Sequence, residues 1–180
     1  VGKGLNGGRL TVVPPAGVND PGNQVILGNT CLYGATGGEL FALGRSGERF
    51  GVRNSGAAAV VEGAGDHCCE YMTGGVVVVL GSTGRNVAAG MTGGVAFILD
   101  EAGGLAERVN AEIVSICPLS TPEQEAVLKP LLAAHLELTG SAKAAAILAD
   151  WDGWKSRFKL LVPPSEKAAM GLAERQAVVA

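Results

Sequence analysis

Apolar residues in this chain come in short runs that return at a fixed interval. Leu40-Phe41-Ala42-Leu43 is followed by Ala57-Ala58-Ala59-Val60-Val61, then by Val76-Val77-Val78-Val79-Leu80, then by Val95-Ala96-Phe97-Ile98-Leu99. A marker glycine precedes each run, at Gly37, Gly56, Gly74 and Gly93, so the steps are 19, 18 and 19 residues. A fixed period of this size, built from a glycine turn and a short apolar strand, predicts a solenoid. One coil cannot bury its apolar face alone, and stacking supplies the partner.

Val1 to Val13 is a first coil with the same plan, Gly7-Gly8 ahead of Arg9-Leu10-Thr11-Val12-Val13. Its marker, Gly7, stands 30 residues before Gly37, a surplus of 11 over the period. The surplus matches a cluster of turn formers at 14–23, Pro14-Pro15-Ala16-Gly17-Val18-Asn19-Asp20-Pro21-Gly22-Asn23. This segment is read as a loop that leaves one coil and returns, either as a passive excursion or to meet a neighbouring domain. Closing it costs little, because loop entropy grows with the logarithm of length.

A coil of this length has a contour of about 60 Å, which folds into a triangle about 20 Å on edge, stacked at about 4.8 Å. Corners need positive φ and room for backbone to pass backbone, both of which glycine supplies. The corner glycines expected on this basis are Gly7, Gly37, Gly56, Gly74 and Gly93. The alternation Arg49-Phe50-Gly51-Val52-Arg53 predicts a half-buried strand.

After Asp100 the repeat fades into a weak last coil over 101–118. From Ser120 the period is helical. Thr121 is an N-cap, Pro122 sits at the first helical position and Gln124 completes a capping box. Val127, Leu128, Leu131, Leu132 and Leu136 mark one face, Pro130 should kink the helix and Gly140 should end it. Ser141 caps a second helix over 142–150, Trp151 to Phe158 forms a third, and Val162-Pro163-Pro164 stops the run. The expected organisation is a β-helix over 1–118 and helices with a tail over 119–180. The helices are placed to cover the C-terminal end of the stack. Val1 opens in mid-pattern, which predicts a fragment of a longer polypeptide whose upstream part covers the first coil. An isolated fragment should then self-associate through that coil.

Charge is nearly balanced at −3, which removes the electrostatic case for nucleic acid. No apolar run approaches the roughly 18 residues that span a membrane, and no signal peptide opens the chain. Glycine, at 28 of 180 residues, is about twice its usual share, and aromatics are only 4%. Such a composition suits a narrow interior filled by Val, Ala, Leu and Ile. Cys31, Cys68, Cys69 and Cys117 form no C-x-x-C pair, so the sequence supports neither zinc nor iron–sulfur ligation, and a reduced, cytoplasmic setting is expected.

Asp66-His67-Cys68-Cys69-Glu70 is the most reactive-looking string, with an imidazole beside two thiols. Neighbours on a strand point to opposite faces, so His67 and Cys68 should not meet, and a structural corner is the expected role. His135 is expected on the solvated side of the long helix. Acids in the coils stand singly, unlike the clustered carboxylates of β-helix polysaccharide-cleaving enzymes. Gly2-Lys3-Gly4-Leu5-Asn6-Gly7 has dinucleotide-loop spacing, but a strand rather than a helix follows it. No catalytic, cofactor-binding or metal-binding residue is therefore expected in the segment.

Gly63-Ala64-Gly65-Asp66-His67, Cys69-Glu70-Tyr71-Met72-Thr73-Gly74-Gly75, Gly84-Arg85-Asn86 and Ala88-Ala89-Gly90-Met91 resemble the C-terminal domain of the glutamate synthase large subunit. So do Val1-Gly2-Lys3-Gly4-Leu5-Asn6-Gly7-Gly8-Arg9, Arg53-Asn54-Ser55-Gly56-Ala57 and Asn110-Ala111-Glu112. The resemblance covers roughly residues 1–160 and implies a right-handed parallel β-helix. Cys68 departs from it, standing where the family has glycine and raising the question of positive φ at that corner. The family enzyme makes two L-glutamates from L-glutamine and 2-oxoglutarate, with FMN, an iron–sulfur cluster and an electron donor. The resemblance implies a scaffold that packs against the glutaminase and FMN-binding synthase domains. The alternatives are a separately encoded β-helix subunit, as in complexes like formylmethanofuran dehydrogenase, and a free-standing β-helix enzyme.

Overall fold

The computed structural model describes residues 1–172. It is mainly β, a β-helix carrying a helical appendage. The strands are β1 (Asn6–Val12), β2 (Val25–Leu27), β3 (Gly37–Ser46), β4 (Ser55–Gly63), β5 (Thr73–Val79), β6 (Gly93–Leu99), β7 (Ser115–Pro118) and β8 (Phe158–Val162). The α-helices are α1 (Pro122–Thr139), α2 (Ala142–Ala149) and α3 (Trp151–Trp154).

β1, β3, β4, β5 and β6 stack in parallel in that order. Leu40 pairs with Ala59, Ala59 with Val77 and Val77 with Ala96, which is the 19, 18, 19 step of the apolar runs. The insertion interrupts one side of the first coil. β1 pairs with Gly37 to Ala42 of β3, and β2 resumes the pairing at Arg45 and Ser46. The chain leaves after β1 and rejoins the same neighbour at β2.

Where the coil turns back there is no strand. The segment around Arg49 to Arg53, expected to be one, is a run of turns with left-handed residues at every second position. The same triplet recurs in four coils: Thr30, Leu32, Gly34; Arg49, Gly51, Arg53; His67, Cys69, Tyr71; Asn86, Ala88, Gly90. Burial does not alternate here either, since Phe50, Gly51 and Val52 are all buried between exposed Arg49 and Arg53; what alternates is the left-handed dihedral. Amides here point up and down the stack in turn. Arg49 N–H donates to Asp66 O, Gly51 N–H to Cys31 O and Arg53 N–H to Glu70 O, at 2.8, 3.0 and 3.0 Å. This ladder satisfies backbone groups that would otherwise be buried unpaired.

The marker glycines lie where strands begin, at breaks in register such as Ser55/Ala58 and Thr73/Val76. A Cβ on Gly56, Gly74 or Gly93 would strike the carbonyl oxygen of Thr36, Ser55 or Thr73 in the coil before. A Cβ on Gly37 would lie 3.1 Å from Asn6 O, while one on Gly7 would meet nothing within 4 Å. The requirement is close backbone approach. Positive φ falls instead on the second member of the pair, at Gly8, Gly38, Gly75 and Gly94.

The apolar runs of β3, β4, β5 and β6 bury both faces, which is why they are nearly continuous. Inward, Leu40, Ala42, Ala59, Val61, Val77, Val79, Ala96 and Ile98 join Phe50, Cys69, Met72 and Met91 in the core of the coil. Outward, Phe41, Val60, Val78 and Phe97 pack against Leu128 and Leu132 of α1 and Ile147 of α2. The helices thus cover the flank of the stack, where outward apolar side chains need a partner, and not its C-terminal end as expected. That end is closed by β8, which runs antiparallel between β6 and β7. Residues 155–157 form a 3-10 turn rather than a continuing helix, and Phe158-Lys159-Leu160-Leu161-Val162 is strand.

The α1 capping box is present, and Gly140 ends the helix at φ 71°. α1 runs unbroken from Pro122 to Thr139 through Pro130. Its buried stripe is Gln124, Leu128, Leu132, His135 and Thr139, turned from the expected face. Three of these five are polar, and each has a partner. The expected tail lies partly outside the described residues; within them, Glu166 accepts from Gly94 N–H at 3.0 Å and Ser165 donates to Thr92 O at 3.0 Å.

Candidate functional site

His67 is in the left-handed region at φ 62°, within turns, so strand alternation does not govern it. Its Nδ1 lies 3.6 Å from Glu70 Oε1, too far for a hydrogen bond, and has no other partner. Cys68 and Cys69 are both buried in the core of the coil, with their sulfurs 3.6 Å apart. The Cys68 thiol and burial push the Cys69 thiol well above its ordinary range, which opposes a nucleophilic role. The left-handed residue is Cys69 at φ 60°, so Cys68 does not need the freedom of glycine. Asp66 ties two coils together, accepting from Arg85 N–H at 2.8 Å and from its guanidinium at 3.2 Å. Those two bonds hold its carboxyl below the usual range.

The other ionisable cluster joins distant parts of the sequence. Glu62, near the end of β4, is only 8% exposed. Its Oε1 receives His135 Nε2 at 2.9 Å and Ser141 Oγ at 2.5 Å. Ser141 in turn accepts from Ala144 N–H at 3.0 Å and caps α2. His135 is therefore fully buried, not solvated, with its ring stacked on Phe41 at 6.2 Å. The outward face of the sheet reaches to this ring, and Glu62 supplies the acceptor that burial demands.

Ser, His and a carboxylate meet here, but in the wrong order for nucleophilic catalysis. Both the hydroxyl and the imidazole address one carboxylate oxygen. The group that accepts from Ser141 Oγ is the Glu62 carboxylate and not His135, whereas an activated serine of this kind needs an imidazole beside it. The arrangement pins the α1–α2 corner to the end of β4. Sequence reasoning missed it because the partners are 73 and 79 residues apart. The one available signal was an imidazole at helical spacing from Leu128 and Leu132.

A cleft of about 640 Å³ lies over Glu62, between the 14–23 loop and the start of α2. Its charged lining is Asp20, Glu62, Glu101 and Lys143. Three acidic groups against one basic group do not suit the phosphate of a flavin nucleotide. An iron–sulfur cluster fits no better: Cys31, Cys68 and Cys69 fill the apolar core, Cys117 lies on β7, and no group of three or more ligands suited to a metal is found among the described residues. Among those residues no helix is long and apolar enough to cross a membrane.

Stacked glycine-marked coils flanked by helices define a β-helix domain, and residues 1–164 match the GXGXG motif family model. The chain belongs to that family. Its relatives include ferredoxin-dependent glutamate synthase 2 of Synechocystis sp., 60% identical over 93% of this chain, and the ferredoxin-dependent glutamate synthase of Pyropia yezoensis, 60% identical over 92%. The chloroplastic ferredoxin-dependent glutamate synthase of Spinacia oleracea is 60% identical over 93%. The matches take in 11%, 11% and 10% of those proteins, so the chain spans about a tenth of their length. It corresponds to the glycine-repeat domain of glutamate synthase, as the sequence resemblance implied.

Proposed function

We propose that this chain is a non-catalytic scaffold of a glutamate synthase, packing against the glutaminase and FMN-binding synthase domains and fixing their separation. The carrying observation is that β3 to β6 spend both faces on internal packing, one on the coil core and one chiefly on α1 and α2. A body closed in this way keeps its shape under load, as a spacer must. The coil stack of 1–118 supplies the length, and residues 119–172 brace its flank and close its end. FMN and the iron–sulfur cluster belong to other parts of the parent enzyme on this reading, and its electron donor is ferredoxin, as the relatives' names indicate. A cytoplasmic setting accords with four free cysteines, although some relatives are named chloroplastic.

Two assays test the proposal. The chain by itself should form no glutamate from glutamine and 2-oxoglutarate. In the parent enzyme, Leu132→Ala should lower coupled glutamate formation upon heating while leaving glutamine hydrolysis intact. Turnover by the chain alone contradicts the scaffold reading.

A further inference from the structure

We propose that the cleft over Glu62 is a binding site for an alkyl chain ending in a primary ammonium or a guanidinium group. The proposal stands apart from the scaffold reading. It begins with an imbalance at one side chain. Glu62 Oε1 receives both His135 and Ser141, while Oε2 has no hydrogen bond among the described residues. The side chain is only 5% exposed, yet Oε2 is not among the fully buried atoms left without a partner, so a donor entering the cleft can reach it. A carboxylate oxygen so placed is costly unless a donor reaches it.

Oε2 faces the cleft. A methyl group on Gly22, in the opposite wall, would lie 3.6 Å from it. The remaining charges favour a cation. Lys143 is held by both oxygens of Glu101, at 2.8 and 2.7 Å, and so is neutralised. Glu62 and Asp20 are left on the acidic side, and Asp20 receives only Asn23 Nδ2, at 2.6 Å. Leu43, Leu80 and Ala146 give the same cleft an apolar wall for a methylene stem. An acceptor at the floor, net negative charge and an aliphatic wall together describe an alkylammonium or alkylguanidinium guest. The group has two possible sources, a free amine or a Lys or Arg side chain elsewhere in the parent enzyme.

The probes are n-butylammonium and n-butylguanidinium, titrated into the chain while the amide resonances of Gly22, Ser82 and Lys143 are followed. Saturable shifts at these amides are expected. Glu62→Gln should weaken binding at least tenfold, and so should Gly22→Leu, which fills the mouth without touching the buried partners of Glu62. Tetramethylammonium, a cation with no N–H donor, should bind at least tenfold more weakly. The proposal is overturned by any one of three results: no saturable shift in the folded chain, unchanged affinity in both variants, or equal binding of tetramethylammonium. The same titration on the parent enzyme identifies the source. Retained binding there means a free ligand, and loss of binding there alone means that a side chain of the enzyme already occupies the site.

Discussion

At the scale of single residues, glycine carries the fold, and it does so through contact more than through torsion. Gly74 and Gly93 have ordinary φ, yet each passes so close to a carbonyl of the previous coil that no Cβ fits. The obstruction is backbone, which cannot swing aside. Gly74→Val should therefore cost more than about 4 kcal/mol or abolish folding, in the range reserved for named severe mechanisms. Gly7→Ala, at a marker position with open space, should stay within about 0.5 kcal/mol. Denaturant melts of the two variants check both. Asn54 is a second residue of this kind. It is fully buried, and its amide accepts from Ala57 N–H at 2.9 Å and donates to Ala57 O at 2.8 Å. Asn54→Leu should cost about 1–3 kcal/mol by stranding those backbone groups.

Asp66 ties pH to this ladder. Its folded pKa is depressed, so its contribution is present above the unfolded value of about 3.9 and is lost as pH falls through the folded value. The Tm difference between the native chain and Asp66→Asn should thus be constant near neutrality and close below about pH 4. A difference that widens on acidification would refute the assignment. Thiol reactivity gives a parallel check. Cys31, Cys68 and Cys69 are fully buried and Cys117 is half-buried, so Cys117 should react first with a thiol reagent in the native state.

At the scale of elements, what could be read from the sequence depended on whether a local rule set the outcome. The four main strands, the insertion, the α1 capping box and the Gly140 stop were legible because each is written in adjacent residues. β8 was not, because Trp151 to Phe158 carries helical spacing and only the open edge of β6 makes Phe158 to Val162 a strand. The turn ladder was misread for a different reason, since alternate left-handed residues imitate the two-residue period of a strand. The Glu62–His135–Ser141 cluster lay beyond sequence reading altogether, because it depends on where α1 settles. The N-cap of α1 offers a prediction at this scale. Thr121→Ala removes the acceptor for Gln124 N–H and should cost about 1 kcal/mol in thermal unfolding.

At the scale of the whole molecule, the stack is asymmetric. Its C-terminal end finishes in β7, a four-residue strand ending in Pro118, which is a poor template for further pairing. Its N-terminal end is β1, seven residues long and mostly exposed, paired on one edge only among the described residues. The isolated chain should therefore self-associate in a concentration-dependent manner during sedimentation, and Thr11→Lys, at an exposed position of β1, should suppress it. A monomer at every concentration would contradict this.

The account rests on coils that are stacked all the way round, with the turn side as firmly bonded as the strand side. Native-state amide hydrogen exchange measures this directly. The amides of Arg49, Gly51, Arg53, His67, Cys69 and Tyr71 should be protected with the same opening free energy as those of Val60, Val78 and Phe97. Exchange of the turn amides at near-intrinsic rates, beside protected strands, would show an open sheet with loose loops and contradict the closed coil.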